Sequence, residues 1–220
     1  SQAVHHARHR SAFGKPLIDQ PLMRNVLADL AVESEAATLL MTRLAGGYDR
    51  GEGAFTRIAT AIGKYWVCKR APAFAHEALE CLGGAGYVEE APMARLFRES
   101  PLNGIWEGSG NVICLDVLRA AGRDPESVDA LLAEIALATG ADLRLDRAVS
   151  DLHAELADSV DLEVRARRIV ERAALVLQGS LLVRHAPAAV ADAFCATRLA
   201  GDGGRAFGTL PPSSDLDAIL

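Results

Sequence analysis

Apolar residues recur along this chain at helical spacing. Starting from Pro21, which suits the first turn of a helix, Leu22, Val26, Leu30, Ala37, Leu40 and Leu44 follow at three-, four- or seven-residue intervals. They mark one apolar stripe on a helix of about thirty residues. Gly46-Gly47 weakens its last turn, and Gly51 and Gly53 end it. A second long helix is predicted over 54–82, with Pro72 inside it as the expected place of a kink. Gly83-Gly84-Ala85-Gly86 closes that helix; a short helix near 92–98, a loop over 101–110 and a helix over 111–121 follow. Ahead of these, Val4 and Ala7 sit on a short helix ending near Arg10, broken by Phe13-Gly14-Lys15-Pro16.

Residues 122–125 read as a linker, and helical period returns over 126–200. Leu131, Leu132, Ile135 and Ala138 form one face; Ile169, Ala173, Val176, Leu177 and Leu181 form another. No segment alternates convincingly with period two. The fold class expected is all-α, in two parts: a bundle over 1–122 with its first helix truncated, and a helical extension over 125–200. The end of the chain, 201–220, is expected to be a flexible tail, because 201–214 is rich in Gly, Pro and Ser.

Composition narrows the class. With 220 residues and 50% of them hydrophobic, there is material for one sizeable core or two closely packed ones. No uninterrupted apolar run approaches the ~18 residues of a membrane span, and no basic-then-apolar opening suggests a secretory signal. Ser1 opens the chain inside a helix, which suggests a piece of a longer polypeptide. Cys68, Cys81, Cys114 and Cys195 lie apart among apolar neighbours, with no C-x-x-C spacing. They are expected to be buried free thiols, as in a reducing cytoplasm, and not a disulfide framework or zinc site. The formal net charge is −6. Residues 1–119 carry 13 cations and 13 carboxylates, and residues 120–220 carry 10 and 16, so the extension holds the whole imbalance.

Three islands are not required by bundle packing: Arg10-Ser11-Ala12-Phe13-Gly14-Lys15 with Gln20 nearby, Leu82-Gly83-Gly84-Ala85-Gly86-Tyr87, and Ile105-Trp106-Glu107-Gly108-Ser109-Gly110-Asn111. Each alone has a plain reading. R-x-x-F-G can be a helix stop with a buried Phe. G-G-x-G is commonly a helix C-terminus, and it lacks the strand that a dinucleotide fingerprint needs. Glu107 can be a surface carboxylate favoured by the N-terminal end of the following helix.

In this order and spacing the three islands resemble the C-terminal helical domain of the acyl-CoA dehydrogenase family, over residues 1 to about 122. Trp106-Glu107-Gly108-Ser109-Gly110-Asn111 and Cys114-Leu115-Asp116-Val117-Leu118-Arg119 look most like its AidB-type, adaptive-response branch, which also carries a helical C-terminal extension. The resemblance implies an up-down four-helix bundle, FAD as cofactor and an acyl-CoA substrate. It implies that Arg10 pairs with the FAD pyrophosphate, that Phe13 and Gln20 meet the adenosine portion, and that Gly83 and Gly84 let backbone approach the FAD of a neighbouring subunit. Ser109 and Asn111 would add polar contacts at a helix N-terminus. Contacts across a subunit boundary imply a homodimer or homotetramer. The electron acceptor is left unspecified.

Glu107 matches the family's catalytic base at its loop position. The reaction removes a weakly acidic proton α to a thioester while a hydride leaves the β-carbon. It needs a carboxylate in a dry site, where desolvation raises a carboxyl pKa, and donors at the thioester oxygen. Trp106 would wall that site. The family's β-domain and N-terminal helical domain have no counterpart in these residues, so this chain is expected to hold half a cofactor site and to be inactive alone.

The AidB-type branch is associated with protection of DNA from alkylation, and Arg119 matches a position linked there to DNA contact. Arg165, Arg167, Arg168 and Arg172 form a basic run in which 165, 168 and 172 share one helical face. Carboxylates stand nearby (Asp161, Glu163, Glu171), so the run reads as a solvated face. The acidic extension opposes phosphate binding. His5 and His9 have i, i+4 spacing that could hold a metal, but no carboxylate or Cys accompanies them and they read as an exposed helix face. His76, His153 and His185 are isolated in sequence.

Overall fold

The computed structural model describes all 220 residues and consists almost entirely of helix. Helix α1 (Gln2–His9) leads into a minimal hairpin, β1 (Ser11–Ala12) and β2 (Lys15–Pro16). Two long helices follow, α2 (Pro21–Asp49) and α3 (Gly53–Glu80). Then come α4 (Gly84–Tyr87), α5 (Pro92–Glu99), a 3-10 turn over Ser100–Gly104, and α6 (Gly110–Arg123). The extension contributes α7 (Pro125–Ala136), α8 (Leu143–Ala157), α9 (Leu162–His185), α10 (Ala188–Phe194), a π-helical turn over Cys195–Leu199, and α11 (Leu216–Ile219).

Helix boundaries follow local chemistry. Pro21, Pro92 and Pro125 each stand in a first turn, where the missing N–H has no helical partner to lose. Asp142 caps α8 by accepting from the amides of Arg144 and Leu145. The predicted linker at 122–125 shrinks to Asp124, because α6 runs on through Gly122 to Arg123 and α7 begins at Pro125.

Helix α3 is the axis of the molecule. Much of its first half is buried: Phe55, Ile58, Ala59, Ala61, Ile62 and Tyr65 lie in the interior, while Arg57 faces outward. Helices α2, α6, α7 and α9 surround it. The main core joins Leu40 and Leu44 of α2, the α3 residues, Cys114 and Val117 of α6, Leu131 and Ile135 of α7, Leu145 and Leu152 of α8, and Val170, Val176 and Leu177 of α9. Residues on both sides of Asp124 therefore share one apolar interior.

Helix α3 runs unbroken through Pro72. That proline has no N–H to give the carbonyl of Cys68, four residues before it. The freed carbonyl faces Gly104, where an added Cβ would lie 3.7 Å from the Cys68 oxygen. The 3-10 turn before the third island thus packs against the place where the α3 ladder lacks a donor.

The Gly-, Pro- and Ser-rich tail departs from the flexibility expected of it. Leu210 is buried, and its backbone makes two 3.0 Å hydrogen bonds with the Asn25 side-chain amide, one in each direction. The Gly208 amide donates to Asp29 at 2.8 Å, and Phe207 stands edge-on to Phe74. Asp217 pairs with Arg24. Composition spoke only of backbone freedom; the polar side chains waiting on α2 lie far off in sequence and supply the order.

Asp29 and Glu33 are buried carboxylates on α2, and they are matched by Arg198 from the π-helical turn and Arg70 from α3. Burial pushes Glu33 up, but the hydrogen bonds and charges of Arg70 and Arg198 outweigh it and hold the carboxyl below its ordinary value. A second network crosses Asp124 in sequence. Glu134 of α7 accepts from Arg43 of α2 at 2.7 Å and from Arg184 of α9 at 2.8 Å.

Candidate active site

The turn around Glu107 in the third island is held by one cation. Lys64 stands in an otherwise apolar stretch of α3, and its Nζ donates to the carbonyl oxygens of Trp106, at 2.9 Å, and of Gly108. Glu107 lies between them. Its backbone takes a left-handed conformation, φ 53°, which a non-glycine residue adopts only when its surroundings compel it. Only Phe13, Glu107 and Asp161 do so among the non-glycine residues. Two of these three were singled out from sequence as site residues.

The Glu107 carboxylate is exposed, and Trp106 beside it is 56% exposed. The dry surroundings expected for the base are therefore not supplied by these 220 residues; nothing in the chain covers the loop. Backbone amides from Glu107 through Val112 donate to no acceptor in the chain. Ser109 occupies the N-cap of α6 without a capping side-chain bond, so the first turn keeps its amides free. Asn111, in that turn, accepts at Oδ1 from Arg167 of α9 at 2.8 Å.

The first island forms the tip of the β1–β2 hairpin. Phe13 (φ 53°) and Gly14 (φ 86°) make the reversal, and the Phe13 side chain is 97% exposed. The helix stop is therefore real, but its Phe is not buried. Gln20 braces the hairpin by donating to the Ala12 carbonyl at 3.0 Å. Arg10 is exposed and enters no ion pair. The second island turns at Gly83, whose φ of 59° and ψ of −141° belong to glycine. A Cβ at Gly83 or Gly84 would meet nothing within 4 Å, so this corner presents bare backbone to the outside.

The first two islands lie together. Leu17 and Ile18, just after the hairpin, share a small core with Ala3, Ala7, Cys81 and Leu82 at the end of α3. The third island is attached at Lys64, and from there to the end of α3 at Glu80 is roughly 24 Å of helix. The chain thus carries two groups of site residues at separate levels of its central helix.

Lys64 was not singled out from sequence, and Arg167 was read there only as one of a basic run on a solvated face. Lys64 had a signal, a lone cation within the apolar run Ala59 to Val67. Arg167 lies off the face that 165, 168 and 172 share. Those three do pair with carboxylates: Arg165 and Arg168 with Glu155 at 3.0 and 2.6 Å, Arg172 with Asp151 at 3.5 Å. Arg119 pairs with Asp116 at 3.3 Å, and Asp116 also takes both Nη groups of Arg57. His9 uses Nδ1 on the His5 carbonyl at 2.8 Å, which keeps this ring on its own helix. His76 is less isolated than its sequence position suggests, since its ligand atoms and those of Glu77 and Glu80 lie within 4.8 Å of one another. Cys81, Cys114 and Cys195 are buried free thiols and Cys68 is half-buried. No helix is long and apolar enough to cross a membrane.

Residues 1–122 match the family described as acyl-CoA dehydrogenase, C-terminal domain. AidB of Escherichia coli strain K12 is 41% identical over 208 residues, covering 93% of this chain and 38% of that protein. Caenorhabditis elegans ACDH-11, solved in complex with C11-CoA, is similar with a TM-score of 0.72 and 25% identity, over 99% of this chain and 38% of that one. An acyl-CoA dehydrogenase from Bacillus anthracis, solved with FAD, has a TM-score of 0.61 over 90% of this chain and 40% of that one; at 18% identity it shows the fold alone. The chain spans less than half the length of each.

Proposed function

The chain belongs to the acyl-CoA dehydrogenase family through its C-terminal helical domain, and from that footing we propose that it is the C-terminal portion of an FAD-dependent acyl-CoA dehydrogenase. Its reaction is α,β-oxidation of an acyl-CoA thioester, with Glu107 as the base. The observation that carries this reading is the strained Glu107 turn, pinned on both sides by Lys64 and presenting a carboxylate without a partner.

The residues fit a flavin dinucleotide. Arg10 offers a guanidinium with no carboxylate of its own, and a planar fork suits paired phosphate oxygens. Gly83 and Gly84 leave room for backbone to approach, and the amides of the α6 first turn are free for acceptors. Phe13 offers an aromatic face to the adenosine portion, with Gln20 beside it; Ser109 and Asn111 add polar groups at the other level. The two groups of residues then serve two cofactors, one shared with a neighbouring subunit, in a homodimer or homotetramer.

During turnover the Glu107 carboxylate accepts the proton from the substrate α-carbon. The Glu107 amide, unbonded within the chain, donates to the thioester oxygen as negative charge gathers there. Trp106 shields the carboxylate from water once the rest of the protein covers the loop. The flavin, when bound, supplies the acceptor for the β-hydride. Buried free thiols at Cys81, Cys114 and Cys195 accord with a cytoplasmic protein.

Glu107→Gln in the complete flavoprotein tests the reading. It abolishes acyl-CoA-dependent flavin bleaching and leaves FAD bound; undiminished bleaching sinks the assignment. A second reading is an AidB-like, flavin-containing DNA-protection protein with vestigial dehydrogenase activity, with Arg119 as a DNA contact. It is favoured by one observation, the match to AidB that runs through the extension. The Arg119–Asp116 pair and the acidic extension oppose it. Affinity for duplex DNA that falls steeply with salt, measured by gel shift, decides for the second reading.

A further inference from the structure

We propose that Arg167 is a positioning residue for the cofactor site: from the extension it fixes the side chain of Asn111 and so couples α9 to nucleotide binding on α6. The inference rests on the reading of Asn111 as a cofactor contact.

Among the arginines of the basic run, Arg165, Arg168 and Arg172 reach carboxylates of α8 or its C-terminal end, whereas Arg167 reaches none. Its Nε donates to Asn111 Oδ1 at 2.8 Å instead. Its guanidinium also lies across the first turn of α6. A Cβ at buried Gly110 would come within 3.4 Å of Arg167 Nη2 and 2.9 Å of Lys69 Cε. Glycine at 110 leaves the Lys69 side chain room against the turn, with Arg167 at ordinary contact distance beside it.

The bond sets the orientation of the Asn111 amide. Its oxygen is engaged by a cation, so its NH2 group is turned away as a donor. Donors suit phosphate and ribose oxygens, and the adjoining free amides of Gly110 through Val112 have the same polarity. An arginine without a carboxylate, beside the positive end of a helix, is poorly placed for stability alone. An anionic nucleotide at this corner reverses that sign.

A merely structural strap is the competing explanation. Helices α6 and α9 already share a core through Cys114, Val117, Ala166 and Val170. An exposed hydrogen bond adds little to that. Removing Arg167 is therefore expected to change nucleotide affinity more than folding.

The experiment titrates the complete apoflavoprotein with FAD and follows flavin fluorescence, alongside the Tm of each apoprotein. Arg167→Met weakens FAD binding about tenfold with a Tm close to that of Arg168→Met, whose own FAD affinity is unchanged. Asn111→Ala weakens binding, and adding Arg167→Met to it brings no further loss; Arg167→Lys recovers part of the affinity. Wild-type affinity in Arg167→Met beside a weakened Asn111→Ala overturns the inference and leaves the site reading standing. Unchanged affinity in Asn111→Ala overturns both. Additive losses, or a Tm drop in Arg167→Met well beyond that in Arg168→Met, show that Arg167 does not act through Asn111.

Discussion

Lys64 of α3 donates to the carbonyl of Trp106 at 2.9 Å, so the residue before the proposed base is tied to the central helix of the molecule. Its second bond, to Gly108, ties the residue after it. No other charged side chain anchors residues 106–108. Lys64→Met removes both bonds and leaves the stem. It lowers the rate of flavin reduction by acyl-CoA about a hundredfold, the penalty of a base displaced by about an ångström, while FAD stays bound. Stopped-flow bleaching of the complete flavoprotein checks this; a wild-type rate shows that the tether does not position Glu107.

Glu33 and Glu134 predict an acid-labile fold. Burial pushes both carboxyls up, but Arg70 and Arg198 hold Glu33, and Arg43 and Arg184 hold Glu134, below the ordinary value of 4.5. With folded values depressed, the unfolded chain takes protons first. The stabilisation is whole above about pH 4.5 and is lost as the pH falls below it through the lowered values. Urea midpoints between pH 7 and pH 3 show the fall. Glu134→Gln leaves Arg184 without a carboxylate and Arg43 with Glu52 alone, and lowers the unfolding free energy at pH 7 by about 3 kcal/mol; a loss under about 0.5 kcal/mol contradicts a network of this kind.

The docked tail predicts resistance where composition suggests vulnerability. Amides of Gly208 and Leu210 exchange slowly, because both are bonded to side chains of α2. Asn25→Ala removes both bonds to Leu210 and destabilises the segment by about 2 kcal/mol. Hydrogen exchange and limited proteolysis report it as faster exchange and new cleavage confined to 200–212. Rapid exchange of these amides in the unmodified protein refutes the docking.

The separation of the site residues bears on the isolated chain. On the proposed reading each level of α3 offers one side of a cofactor, with Phe13 and Glu107 both open to solvent. The 220-residue chain is folded and binds FAD weakly or not at all. Tight, stoichiometric binding in a fluorescence titration contradicts a divided site.

Much of this was legible in the chain. Pro21 and the stripe from Leu22 to Leu44 marked α2, the glycines after Leu82 marked the end of α3, and Trp106-Glu107-Gly108 marked the loop. These are local signals, in which a residue's own backbone preference or spacing decides the outcome. The unread parts are non-local. Asn25 and Asp29 order a tail that begins over 170 residues later in the chain, and no periodicity encodes that meeting. Arg167 looked like one more cation in a run, but its offset from the 165–168–172 face turns it toward Asn111 of α6. The proline in α3 announced a kink, but its larger role is the carbonyl it leaves free for Gly104.

The interior shared across Asp124 constrains how such proteins can be recombined. A chimera that grafts the extension onto a shorter relative at this junction would strand Leu131, Ile135, Val170 and Leu177 against a foreign surface. It would also leave Glu134 without Arg43. The bundle and its appendage must therefore change together, and insertions at this seam are tolerable only when the α3 surface is redesigned to meet them.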